Sequence, residues 1–576
     1  MRGHDTDGST QPSVRRRCRL PGRGGHHSVR WTGLRSERRP GERVARVAAI
    51  ALALCVTSPG ALAGAQPGAV SEVIVNAQSD AGALKALRGV NGAPNLTFLG
   101  RSPVLPMPLL NETRGYRAAH VNLVRTHDSG GVGDIDSNVG DLPPLLPMPP
   151  DKRAAIAAAI DRNVIFRNLD ANPDNPASYH FGPTDRMIEG IRRIHAEVLF
   201  RLGRSGMTTA PPPANLRRYA DIIRHIVLHY ERGWDHGMHD AVKYWEVWNE
   251  PDLGRIWWRG TPQQYDALYA AAARAVKSAD PQAQVGGPTI ALVNQKTPYR
   301  EGFLAFVRAH HLPLDFFSWH WYSVGADDPY QFVEIARSLR ALLDRYGFTH
   351  TRSFLDEWNY DFRKLHTTPP IQVASFQASS LIDMQDAPID QSAIYRADHF
   401  FNVSGTPRTP SGQVFLDFGS LVDTPIRLRS SGTDHDGFAV LAARNAAGSR
   451  IRILVSNYQI PAADMGPRPG GLEFHADHLF RMRILPRRTV HYPPVRRYEL
   501  NVRHLAPGRY RFIRQRLTAA GTSTEQRILR VSGPIRLGFT LPAYVVDAIE
   551  IERLPARRSP VAHRAVGSRG SAEGVR

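Results

Sequence analysis

Residues 86–405 alternate short apolar runs with stretches of helical spacing, and this alternation limits the fold more than any other feature of the 576-residue chain. The runs are Gly89–Ala93, Val121–His127, Ala196–Gly203, Lys243–Glu250, Ala283–Pro288, Leu314–Tyr322, Ser353–Asn359 and Ser392–Asp398. Between them, Asn215–Gly233, Pro262–Asp280 and Phe332–Gly347 repeat apolar residues every three to four positions, the period of a helix with one buried face. Pro262 stands at an expected helix start and Gly347 just past an expected end. Eight β/α units predict an α/β chain built on a (β/α)₈ TIM barrel. A doubly wound open sheet is the alternative, but the Gly-rich turn after its first strand is missing.

After residue 405 helical spacing gives way to strand alternation, in Gly437–Arg444, Arg450–Tyr458, Arg497–Leu505, Arg509–Leu517, Pro534–Leu541 and Tyr544–Glu552. Short strands separated by turns such as Ala506-Pro507-Gly508 predict a C-terminal β-sandwich over 406–554. Residues 66–85 contain Glu72–Ala77, a further candidate strand for it. The Arg-, Ser- and Gly-rich tail 555–576 is expected to be disordered.

Residues 1–65 have the organisation of an export signal: an Arg-rich start, the apolar stretch Val44–Val56, Pro59-Gly60 and the small residues Ala61–Ala65. The protein is therefore expected to be periplasmic or secreted. Both cysteines, Cys18 and Cys55, lie in this segment, so a mature chain would have no Cys nucleophile, Cys-held metal or disulfide. No apolar run reaches the roughly 18 residues of a membrane-spanning helix. The formal net charge is +20, and Arg outnumbers Lys 67 to 6. Without a nucleic-acid-binding module that charge does not indicate nucleic acid. It is compatible with attraction to an acidic polysaccharide.

Barrel active sites form at the C-terminal ends of strands. By the strand count Glu250 ends the fourth strand and Glu357 the seventh, 357 − 250 = 107 residues apart, or about 36 per β/α unit. Two carboxyls facing each other across a barrel mouth suit cleavage of a glycosidic bond: one protonates the leaving oxygen, the other attacks or activates water. Strand parity places Glu246, Trp248 and Glu250 on one face and Arg125 with His127 on one face, so Arg125 and Glu246 are expected to form a buried structural ion pair. His127, Asn249, His320 and Tyr322 are candidates to lie near the sugar. Asn249 is placed to bond a 2-hydroxyl and Tyr322 to orient Glu357. Trp257, Trp258 and Trp358 offer flat faces for sugar rings or for core packing. Asp398 either contacts a hydroxyl or caps the barrel. His225 and His229, four apart on one helix, lack a companion carboxylate motif for zinc, and Ser129–Asp136 lacks calcium-loop spacing. No metal or other cofactor is expected.

The stretch Tyr244–Leu253 ("YWEVWNEPDL"), with Ile256–Gly260 and Val285–Ile290, resembles glycoside hydrolase family 39. "VRTHD" (Val124–Asp128) resembles that family's strand-two motif and "DFFSWHWYS" (Asp315–Ser323) its strand-six motif. The resemblance implies a retaining glycosidase with Glu250 as general acid/base and Glu357 as nucleophile, acting on a poly- or oligosaccharide. The family's xylosidases usually have His-Gly where this chain has His127-Asp128, which argues against xylosidase specificity. A non-catalytic polysaccharide-binding protein and a transglycosylase are the competing readings.

Overall fold

The computed structural model describes residues 70–555 except 96, 99–108, 138–149, 206–210, 325–326, 398, 466–467, 475–479, 486–488 and 494. The export-signal region, the tail beyond Pro555, Asp398 and most of the Pro-rich run Leu142–Pro150 lie outside the described residues.

The eight expected runs supply eight parallel strands: Gly89–Asn91, Leu123–Arg125, Glu197–Leu202, Tyr244–Val247, Gln284–Ile290, Phe316–Trp321, Arg352–Trp358 and Gln391–Ile394. Each pairs with the next, and the eighth pairs with the first through Ala393–Gly89 and Ile394–Val90, closing the barrel. The lower interior is apolar, filled by Leu123, Leu199, Tyr244, Phe316 and Phe354 from alternate positions of five strands. One pleat higher, Arg125, Glu246 and Asp356 are buried, so the barrel becomes polar towards its C-terminal mouth.

The helices begin and end where local chemistry requires. Asn215 caps Leu216–Arg232 by accepting from the Arg218 N–H, and Gly233 closes it at φ 73°, a left-handed angle that glycine adopts without strain. Thr261 and Gln264 form a reciprocal capping box on Pro262–Ala279. Among the described residues, no helix is long and apolar enough to cross a membrane.

Among the described residues the C-terminal domain is a hydrogen-bonded sheet of nine strands with a separate two-stranded ribbon, Arg468–Phe474 and Phe480–Leu485. Ser71–Ala83 runs inside it, antiparallel to Ile426–Ser430 and parallel to Val495–Arg503. The sheet doubles over to make the two layers of a sandwich. Phe512 and Phe539, from strands near opposite ends of the order, stack at 6.2 Å, and Val73, Val440, Leu500 and Ile551 fill the space between. The barrel meets this sheet through Pro370–Asp383, a helix buried over nearly its whole circumference, its serines and glutamines included. Ser456 donates to the Ser375 carbonyl (3.0 Å) and Ser379 to the Gly437 carbonyl (2.7 Å) across the junction.

Candidate active site

The fourth strand stops at Val247, and the chain then turns through left-handed residues, Trp248 at φ 73° and Glu250 at φ 43°. Such angles cost an L-residue of order 1–3 kcal/mol and persist where surrounding contacts enforce them. The enforcing contacts are visible. The Glu250 N–H donates to Thr289 O (3.0 Å), and the Asp252 carboxylate accepts from the N–H groups of Ala291 and Leu292 (3.1 and 2.7 Å). This turn breaks the expected parity. Trp248 packs edge-on against Trp258 (5.1 Å, 76°) and donates its indole N–H to Trp257 O, while Asn249 and Glu250 join the polar centre of the mouth.

Strand seven departs from parity too. Its register with strand six shifts between Leu355 and Glu357, so the adjacent residues Asp356 and Glu357 both meet the interior. The guanidinium of Arg125 gathers them. Its Nε lies 2.6 Å from Glu246 and 2.9 Å from Asp356, Nη1 donates to Glu357 Oε1 (2.7 Å), and Nη2 donates to Asn249 Oδ1 (2.8 Å). The expected Arg125–Glu246 pair is present, and Arg125 does more than the structural role expected of it, because it also holds Glu357 and Asn249. Burial lifts Glu246 to about 8 in spite of Arg125. Burial also opposes ionisation of Asp356, but Arg125 and His320 outweigh it and hold that carboxyl below its ordinary range.

Glu357 receives donors on both oxygens, Arg125 at Oε1 (2.7 Å) and Tyr322 OH at Oε2 (2.6 Å), with His127 Nε2 3.2 Å from Oε1. Burial raises the Glu357 carboxyl, with His320, Arg125 and Tyr322 pulling the other way. Burial, and then Glu357 itself, keep Tyr322 a phenol and hence a donor. Glu250 Oε1 lies 2.8 Å from His320 Nδ1, whose Nε2 lies 3.5 Å from Asp356. Burial disfavours the imidazolium of His320, but Glu357 and Asp356 overcome it and raise the ring well above its usual value. His127 is driven the opposite way, by burial and then by Arg125, and stays neutral. One oxygen from each glutamate and one His320 nitrogen lie within 4.8 Å of one another. This is metal-ligand spacing, and the same atoms already bond one another, His320 Nδ1 lying 2.8 Å from Glu250 Oε1. The cluster thus combines two carboxyls, a cation between them, and donors fixed on Glu357.

The structure brings together Glu250, Glu357, His127, Asn249, His320 and Tyr322. Asn249 Nδ2 and His127 Nδ1 are buried and have no protein partner among the described residues. Trp258 and Trp358 are corrections: neither offers a face to a sugar. Trp258 is fully buried between Trp248 and Tyr265, and Trp358 is fully buried against Phe332. Trp257 is the half-buried member of its pair, with its ring 5.9 Å from His127. His225 and His229 serve helix packing, bonding the carbonyls of Asp221 and Trp234. Sequence reasoning missed Asp356, visible only as the neighbour of Glu357. It also missed Tyr395, at the tip of strand eight, whose hydroxyl donates to Asp128 (2.6 Å) and whose ring lies 6.2 Å from both His127 and Tyr322.

Fold and site together define a barrel protein with a carboxyl pair at its mouth and a sheet domain behind it. The family model described as glycosyl hydrolases family 39 matches residues 201–383. A β-xylosidase of Geobacillus stearothermophilus is 28% identical over 233 residues, 35% of this chain and 45% of that protein. A β-xylosidase of Caldicellulosiruptor saccharolyticus is 29% identical over 181 residues, 28% of this chain and 34% of that one. These matches thus span less than half of either xylosidase. A glucosidase structure from Croceicoccus marinus is 31% identical with a TM-score of 0.72, covering 85% of this chain and 100% of its own. A family 39 enzyme from Xanthomonas axonopodis pv. citri shares the fold at 17% identity and a TM-score of 0.59, over 86% and 100% of the two chains. The chain belongs to glycosyl hydrolase family 39.

Proposed function

We propose that the protein is an exported retaining glycoside hydrolase in which Glu357 attacks the anomeric carbon and Glu250 is the general acid/base. The observation behind this reading is the spacing and dressing of the two carboxyls. Retaining enzymes hold them about 5–5.5 Å apart, whereas inverting enzymes leave about 6.5–9.5 Å for a water. Oxygens of Glu250 and Glu357 within 4.8 Å of each other fit the shorter class. Glu357 carries two donors, Arg125 and Tyr322, that favour its charged form, as an attacking carboxylate requires. Glu250, opposite, protonates the glycosidic oxygen as the bond to the leaving sugar breaks and Glu357 bonds to the anomeric carbon. Glu250 then takes a proton from the water that releases the sugar from Glu357. The 2-hydroxyl is met by Asn249, whose carbonyl oxygen is already fixed by Arg125.

The glucosidase, 31% identical over 85% of this chain, supports glucose residues as the substrate class, while Asp128 beside His127 weighs against the xylose of the two β-xylosidases. Attraction to an acidic polymer, supported by the net charge, and export, supported by the apolar stretch Val44–Val56, belong to the same reading.

The test uses aryl β-glucosides and β-xylosides. Glu250→Ala should keep turnover of substrates with good leaving groups, and azide should accelerate it with net retention. Glu357→Ala should abolish turnover, and azide rescue should give the inverted glycosyl azide. Inverted azide product from Glu250→Ala would reverse the two roles, and longer products from the wild type would favour transglycosylation.

A further inference from the structure

Asp252 is a buried carboxyl, 4% exposed, that no step of the double displacement uses. It stands two residues after Glu250, in the short turn Pro251–Ile256 that the chain enters through the left-handed angles of Glu250 (φ 43°, ψ 52°). Its two oxygens are divided between consecutive backbone N–H groups just past the end of strand five. Oδ1 accepts from Ala291 (3.1 Å) and Oδ2 from Leu292 (2.7 Å). With the Glu250 N–H on Thr289 O (3.0 Å), three hydrogen bonds stitch residues 250–252 to residues 289–292. Thr289 is itself tied to strand six, where Ser318 Oγ donates to its Oγ1 (3.3 Å). Two residues further along that strand, His320 Nδ1 lies 2.8 Å from Glu250 Oε1. The tie that leaves the Glu250 turn through strand five thus returns through strand six to the Glu250 carboxyl.

A buried carboxyl is an expensive clamp, because water is lost from it and no cation among the described side chains bonds it. Burial pushes Asp252 up to about 7, the N–H groups of Leu292 and Ala291 oppose the rise, and the nearby charge of Glu250 adds to it. What the clamp fixes is direction. Left-handed angles at Trp248 and Glu250 persist only while surrounding contacts enforce them. Among the described side chains, His320 is the group hydrogen-bonded to the Glu250 carboxyl, so the aim of that carboxyl depends on the turn beneath it. A catalytic group displaced by about 1 Å can lose on the order of a hundredfold in rate.

Resting on the glycosidase reading, we propose that Asp252 is a positioning residue for proton donation, its two hydrogen bonds past strand five holding the left-handed turn that aims Glu250 at the glycosidic oxygen. The probes are phenyl β-glucoside, whose leaving group needs a proton, and 2,4-dinitrophenyl β-glucoside, whose leaving group departs without one. Asp252→Ala should lower the ratio of kcat/KM on the phenyl to kcat/KM on the dinitrophenyl glucoside by about thirty- to a hundredfold. Asp252→Asn keeps the volume and one acceptor oxygen, so it should fold even where the alanine variant does not, and should lower the ratio by only about three- to tenfold. An unchanged ratio in the folded variants overturns the proposal whether both activities hold or fall together, the second case making Asp252 a clamp for the fold alone. Asparagine as damaging as alanine also overturns it, in favour of the carboxyl's charge over its hydrogen bonds. Glu250→Ala must lower the same ratio; if it does not, the role of Glu250 in the glycosidase reading fails and this proposal falls with it. Wild-type protein that turns over neither these glucosides nor the matching xylosides removes the glycosidase reading itself.

Discussion

His320 is the cation between the two glutamates, 2.8 Å from Glu250 and 3.6 Å from Glu357. Its positive charge is one of the influences that lower Glu357, so H320N should let the Glu357 carboxyl titrate higher. The acid limb of the kcat/KM profile should then move to higher pH, with activity lost most steeply in acid. An unmoved limb would show that Arg125 and Tyr322 set the Glu357 charge alone. Stability carries a matching signature. The folded-state value of His320 lies above its ordinary 6.5, so the stability it contributes is fully present below that pH and is lost as pH rises through the folded value. The difference in Tm between wild type and H320N should therefore be largest below about pH 6.5 and shrink above it.

At the scale of elements, the site depends on how closely strands five and six approach, because Thr289 and His320 are the last residues but one of these strands. Gly286 makes that approach: a Cβ there would strike the backbone oxygen and ring of Phe316. G286A should destabilise the protein by about 1–3 kcal/mol, as over-packing does, and lower kcat/KM by displacing His320. Gly538, in the sheet strand Ile535–Pro542, has open space around its Cβ position, so G538A should stay within about 0.5 kcal/mol of the parent. Thermal unfolding of the two variants side by side checks both. Equal effects would mean that the close contact relaxes without cost.

The whole molecule is tied together beside the mouth. Asp327 follows the sixth barrel strand, Lys364 follows the seventh, and Asp464 comes from the sheet domain; the Lys364 ammonium bonds both carboxyls. Burial, and then Asp464, push Asp327 up to about 7, with Lys364 opposing. A carboxyl raised in the folded state binds its proton more tightly there than in the unfolded chain, so stability falls as pH rises from about 4 to 7. D327N removes this titration, so the Tm of the wild type relative to the variant should decline across that window. A constant offset would show that Asp327 is ionised throughout.

Much of this organisation is local and was legible in the chain. Helical spacing, capping residues and apolar runs are short-range properties, so the β/α alternation and the strand-rich second half could be read directly. Glu250 and Glu357 stood out because they end runs three repeats apart. Side-chain direction at the strand tips was not legible. Period-two alternation holds only while a strand continues, and the chain leaves it at Trp248 through a left-handed angle and at Glu357 through a register shift. The aromatic residues were equally opaque, since Trp258 and Trp358 as core and Phe362 as surface differ only in what packs around them. Arg125 shows the limit most plainly. Its partners Glu246, Asn249 and Glu357 lie 121, 124 and 232 residues away, and only barrel closure brings them to one guanidinium. The sequence by itself determined which elements form and which residues end them; the tertiary structure decided which of those residues share one charge network, because that depends on distances no local propensity encodes.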